Sequence, residues 1–109
     1  MNGEEWKQID EKHFVSNKGR VKSYCKYNAI ILKPQENEKG YLLVSINQRN
    51  IFIHRLVAFA FCTNGNEYDI NNIEIHHIDK NRKNNNADNL MILTNTEHRK
   101  LHQKRDTKQ

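Results

Sequence analysis

The chain has 109 residues, 36% of them hydrophobic and 28% charged, with a formal net charge of +5 and a mean hydropathy of −0.98. So short and polar a chain cannot build a large core, which leaves room for a metal, a bound polymer or a partner to contribute to its stability. No apolar run reaches the ~18–20 residues that a membrane span needs, and the longest candidate, residues 51–62, carries His54 and Arg55.

The first residues, Met1-Asn2-Gly3-Glu4-Glu5-Trp6, are acidic and lack the basic-then-apolar pattern of a signal peptide. Cys25 and Cys62 are far apart and form no CxxC pair, so reduced thiols are expected. Both features point to the cytoplasm. Residues 76–109 hold eight basic side chains against four acidic ones, whereas residues 24–75 hold five of each. The excess in the last third suits a polyanion partner.

In chain order, residues 13–24 alternate apolar and polar positions around Asn17-Lys18-Gly19, which predicts a β-hairpin turning at the glycine. Residues 33–40, with Pro34 and Gly40, read as a loop. Residues 41–46 and 51–53 read as strands of a second hairpin, separated by Asn47-Gln48-Arg49-Asn50. From Ile53 the period changes: Ile53, Leu56, Val57, Ala60 and Phe61 form the stripe of an amphipathic helix, ended by Thr63-Asn64-Gly65-Asn66. Residues 73–78 read as a short strand, 79–89 as an asparagine-rich surface loop, and 90–93 as a buried strand. Thr94-Asn95-Thr96-Glu97 is a capping box that opens a helix to about residue 104.

Four of the six histidines lie between residues 76 and 102. His98 and His102, four apart on the predicted last helix, share a face, a spacing that suits a transition metal and equally a solvated basic helix. His76-His77 ends a strand, where alternation sends the two side chains to opposite faces. One of them can join the helix pair as a third ligand while the other stays uncoordinated nearby. An imidazole beside a cation can take a proton from water near neutral pH, and the cation can polarise a phosphoryl oxygen, as phosphodiester hydrolysis requires. Asn89 is placed to orient such a base or to brace its loop.

The order His76-His77-Ile78-Asp79-Lys80-Asn81, then Asn84-Asn85, then Asp88-Asn89-Leu90, resembles the HNH nucleases of the ββα-metal fold, in particular the phage and intron-homing branch. The run Ile53-His54-Arg55-Leu56-Val57-Ala58-Phe59-Ala60-Phe61 is similar to the helix that leads into the motif there. Glu5-Trp6-Lys7 with Val15-Ser16-Asn17-Lys18-Gly19-Arg20-Val21-Lys22-Ser23 resembles the small DNA-contacting module that often precedes phage HNH domains. The two resemblances together cover nearly the whole chain.

The resemblance implies an α+β fold, with N-terminal β-hairpins and a short helix packed on a C-terminal ββα-metal motif. Its expected division is a β-rich DNA-contacting module at 1–50 and a nuclease domain at 51–109, with the core motif at 73–104. It implies a metal-dependent DNA endonuclease of homing or nicking type, in which His77 activates water and Asn89 orients or braces. His76, His98 and His102 would hold one divalent ion. Homing members often carry an acidic residue at the place of His76 and asparagine at that of His98; three imidazoles instead favour Zn²⁺, Ni²⁺, Co²⁺ or Mn²⁺ over Mg²⁺. DNA contacts are expected from Lys18, Arg20 and Lys22 on the first hairpin, narrow enough for a major groove, and from Arg99, Lys100 and Lys104. Larger homing relatives carry a further helical DNA-binding region, so loose nicking, a homodimer or a partner in phage packaging is expected here.

One alternative stands beside the endonuclease reading. A zinc-stabilised nucleic-acid-binding module without cleavage would use the three histidines only as a staple. Structural zinc sites usually have four protein ligands and often cysteine, whereas this motif offers three imidazoles and leaves His77 unused. For the remaining residues the sequence favours ordinary roles: His54 as a packing histidine, Asn81, Asn84 and Asn85 as shapers of their loop, and Trp6 as an anchor for the N-terminus.

Overall fold

The computed structural model describes residues 3–63 and 72–94. Strands β1 (Trp6–Gln8), β2 (His13–Ser16), β3 (Val21–Cys25) and β4 (Asn28–Ile31) form an antiparallel sheet in that order. Strands β5 (Gln35–Glu36), β6 (Leu42–Ile46) and β7 (Arg49–Phe52) form a second sheet, followed directly by helix α1 (Ile53–Phe61). Strands β8 (Ile73–His77) and β9 (Leu90–Thr94) pair as a long-looped hairpin, with a 3-10 turn at Ala87–Asn89 just before β9.

The first hairpin folds as its sequence predicts. Gly19 takes φ +85°, a conformation open to glycine and costly for most residues. The Ser16 hydroxyl accepts the amides of Lys18 and Arg20 at 3.2 and 3.1 Å, which closes the turn. Val15 and Val21 are register partners on the inner face and both are buried. On the outer face Phe14 pairs with Lys22, whose ammonium lies 4.2 Å from the Trp6 ring centre.

The second hairpin is tighter than expected. Its ladder runs to the pair Ile46 and Arg49, so only Asn47 and Gln48 form the turn, both with positive φ (51° and 67°). That is the two-residue turn whose twist matches the flanking strands, and it starts β7 at Arg49 instead of residue 51. Three strands lay hidden in the sequence. β1 and β5 are short and polar, and β4 is exposed at all four positions.

The core consists of Val15, Val21, Val44, Ile46, Ile53, Val57, Ala58, Ile73, Leu90 and Ile92. Both sheets and the β8–β9 hairpin contribute to it, and α1 touches β2, β6, β7, β8 and β9. Val57 and Ala58 are fully buried, small enough to let the helix sit close to all of them. Burying a valine or isoleucine contributes about 1.5–3 kcal/mol, so this shared core joins residues from either side of position 50. Among the described residues no helix is long and apolar enough to cross a membrane.

Candidate active site

Strand β8 presents its two histidines in opposite directions. Ile73 and His77 are buried, whereas Glu74 and His76 are exposed. His77 lies opposite Leu90 and His76 opposite the exposed Met91. Pleating alone accounts for this split.

His77 is 6% exposed. Its ring meets that of His54 edge-on at 5.3 Å between centres and lies 6.1 Å from Tyr41. Tyr41 also covers His54 at 5.2 Å, as does Phe52. Burial, reinforced by the neighbouring His77 and Arg55, lowers the His54 pKa to about 4, so His54 is neutral at pH 7. The Arg82 guanidinium stacks on the outer side of Tyr41 at 4.8 Å and donates to the Lys39 carbonyl.

The Nε2 atom of His77 lies 2.8 Å from Oδ1 of Asn85. An amide oxygen accepts only, so this bond places a proton on Nε2, and in a neutral imidazole the lone pair then lies on Nδ1. Asn85 is 3% exposed, and its Nδ2 has no hydrogen-bond partner; nor has Nδ1 of His54. An unpaired buried polar group costs about 1–3 kcal/mol. The site therefore concentrates two such groups around one imidazole.

Asn89 acts on the loop. Its Oδ1 accepts the Asp79 amide at 3.0 Å, while its Nδ2 donates to Asp79 Oδ1 at 2.9 Å and to the Asn84 carbonyl at 2.8 Å. The Ile78 amide donates to the Asn89 carbonyl at 2.8 Å. Hydrogen bonds from Asn84, from the Asn81 amide and from Asn89 hold the Asp79 pKa below its usual value. Of the two roles expected for Asn89, these bonds describe the bracing one, and the side chain bonded to His77 is that of Asn85. The asparagine-rich loop is a surface loop, as its polarity suggested, exposed at seven of its eleven positions, with only Asn85 and Asn89 turned inward and buried.

Residues 52–100 match the HNH endonuclease family, and residues 4–47 match the NUMOD4 motif. The chain carries an HNH endonuclease domain behind a NUMOD4 motif. Two proteins of Acanthamoeba polyphaga mimivirus, each described as an uncharacterized HNH endonuclease, resemble it. One is 38% identical over 103 residues, covering 91% of this chain and 29% of the relative. The other is 35% identical over 101 residues, covering 84% and 24%. A solved structure of DNA binding and cleavage by the HNH homing endonuclease I-HmuI is 29% identical with a TM-score of 0.73, covering 94% of this chain and 60% of that one. The chain thus spans only about a quarter of the length of the mimivirus relatives.

Within the HNH domain the expected site residues divide as follows. His76, His77 and Asn89 stand at one end of the β8–β9 hairpin. His98, Arg99, Lys100, His102 and Lys104 lie outside the described residues, as does the helix expected to carry them. Among the described residues no three His, Cys, Asp or Glu side chains form a metal-binding group. His76 is exposed near the end of β8, and an exposed imidazole is a good donor to first-row divalent ions. Of the three expected ligands, only His76 lies among the described residues.

In the NUMOD4 motif, Arg20 pairs through two nitrogens with Glu4, whose pKa falls to about 2 through that contact. Lys22 packs over Trp6, so Lys18 is the cation of the hairpin without an ion pair or ring contact among the described residues. The sequence favoured a packing role for His54 over a catalytic one and a loop-shaping role for Asn85, and did not single out Tyr41. The sequence signal for Asn85 was its place in the Asn84-Asn85 pair of the motif; for Tyr41 there was none.

Proposed function

We propose that this chain is the catalytic part of a metal-dependent DNA endonuclease of phage type, homing or nicking, that hydrolyses phosphodiester bonds. The observation that carries the reading is His77: a buried imidazole at the end of β8, held at Nε2 by Asn85, with its lone pair on Nδ1. A neutral imidazole fixed in one tautomer can accept a proton from water at Nδ1 as the water attacks phosphorus. Asn89 holds the turn that follows β8 and so keeps the strand end in place.

His76, His98 and His102 would hold one divalent ion, Zn, Mn, Ni or Mg, whose chemistry when bound is to neutralise charge on the phosphoryl group and the leaving 3′ oxygen. Lys18, Arg20 and Lys22 would meet DNA from the N-terminal hairpin, and Arg99, Lys100 and Lys104 from the C-terminal segment. A zinc-stapled binding module would have no use for a buried imidazole held in one tautomer at the strand end.

The test is single-turnover nicking of supercoiled plasmid with Mg²⁺, Mn²⁺, Ni²⁺ or Zn²⁺, beside a metal titration. His77→Ala should keep fold, metal and DNA affinity while losing ~10²–10⁴-fold in rate, the usual contribution of a positioned base. Cleavage by His77→Ala at the wild-type rate would exclude this mechanism, and loss of metal by that variant would move His77 into the ligand set.

A further inference from the structure

We propose that Asn85 is the positioning residue of His77, and that the N-terminal hairpin turn holds Asn85 in place through Gly19. The proposal rests on the reading of His77 as the base. Asn81, Asn84 and Asn89 all use side-chain oxygens to accept backbone amides of their own loop. Asn85 does not. Its Oδ1 goes to His77, and its buried Nδ2 pairs with nothing. Loop shape therefore does not account for this amide, whereas the tautomer of His77 does.

The turn reaches Asn85 from behind. A Cβ at Gly19 would sit 2.9 Å from Cβ of Asn85, 3.0 Å from its carbonyl oxygen and 3.2 Å from its carbonyl carbon. Real Cβ contacts almost never come so close, and the atoms met include backbone, which cannot swing aside. Two residues on, the Ala87 amide donates to the Asn17 carbonyl at 2.7 Å. The turn thus grips the loop on both sides of Asn86, and a displacement of the turn passes to Asn85 and from there to the His77 ring. Lys18, at the tip of the same turn, is exposed. A phosphate contact there and the orientation of the base share one stretch of backbone.

The experiment uses the full chain labelled with ¹⁵N-histidine, with the His77 signals assigned by their loss in His77→Gln. The wild type should show the Nε2–H tautomer at His77; Asn85→Leu and Gly19→Ala should both convert it to a mixture. Each should lower the single-turnover cleavage rate at saturating DNA about 10–100-fold, the usual effect of losing an orienting partner, with Kd for DNA changed less than about twofold in Asn85→Leu. Asn85→Asp, which keeps an acceptor, should recover rate relative to Asn85→Leu. If Gly19 acts through Asn85, adding Gly19→Ala to Asn85→Leu should cost less than about threefold more.

Where Gly19→Ala does not fold, Ala87→Pro removes the donor to Asn17 at a first-turn position that accepts proline, and the same tautomer change is expected. Multiplicative losses in the double variant overturn the role of Gly19. An unchanged His77 tautomer in Asn85→Leu overturns the role of Asn85. Should His77→Ala cleave normally, the assignment of the base fails while the tautomer measurements still decide the positioning.

Discussion

At the scale of single residues the site packs the rings of Tyr41, His54 and His77 and the amide of Asn85 into a small space. His54 carries the clearest consequence. Its pKa is about 4 in the folded chain and near 6.5 when unfolded, so the unfolded chain binds the proton more readily. Stability from this group is complete above pH 6.5 and is lost as pH falls toward 4, by roughly 3 kcal/mol in all. Urea midpoints at pH 7 and 4.5 should show that loss in the wild type and much less of it in His54→Phe; equal pH dependence in the two would contradict it. Glu4, tied to Arg20, acts in a lower window, between its ordinary 4.5 and about 2, so the two effects overlap only between about pH 4 and 4.5. The sequence allowed His54 its packing role but could not show what it packs against, because its partners Tyr41 and His77 are 13 and 23 residues away. Asn85 was equally hidden. Its neighbours Asn84 and Asn89 serve the backbone, and nothing in the composition of the loop distinguishes the one amide that turns toward the imidazole.

At the scale of elements, legibility followed how local the cause was. The β2–β3 hairpin was readable because alternation and a positive-φ glycine act within twelve residues, and α1 because its apolar stripe has the helical period. The edge strands were not, since β4 and β5 owe their conformation to the strands beside them and bury little. The β6–β7 turn lacked its usual signal: Gln48 occupies a position at φ 67° where glycine is normal. Gln48→Gly should accordingly stabilise the protein by about 0.5–1 kcal/mol, a rise in Tm of a few degrees by calorimetry. No rise, or a fall, would mean that the Gln48 side chain contributes something its exposed position does not suggest.

At the scale of the molecule, charge and packing are organised differently. The basic excess lies in the C-terminal third, so DNA affinity should fall steeply with salt as condensed counterions are released. Reversing Lys100 and Lys104 should weaken binding to all sequences alike and flatten that dependence. Glu4→Gln should do the opposite, because it frees Arg20 from its carboxylate and adds a phosphate contact. Filter binding across a salt series reads both, and a salt-independent affinity would contradict them. The packing has a consequence of its own in time. Because α1 sits against strands from both sheets and from the β8–β9 hairpin, its amides have no local opening that spares the rest. Those of residues 57–61 should exchange with deuterium only at the rate of global unfolding, while the exposed β4 edge exchanges through small local fluctuations. Among the described elements the slowest clock is therefore a nine-residue helix.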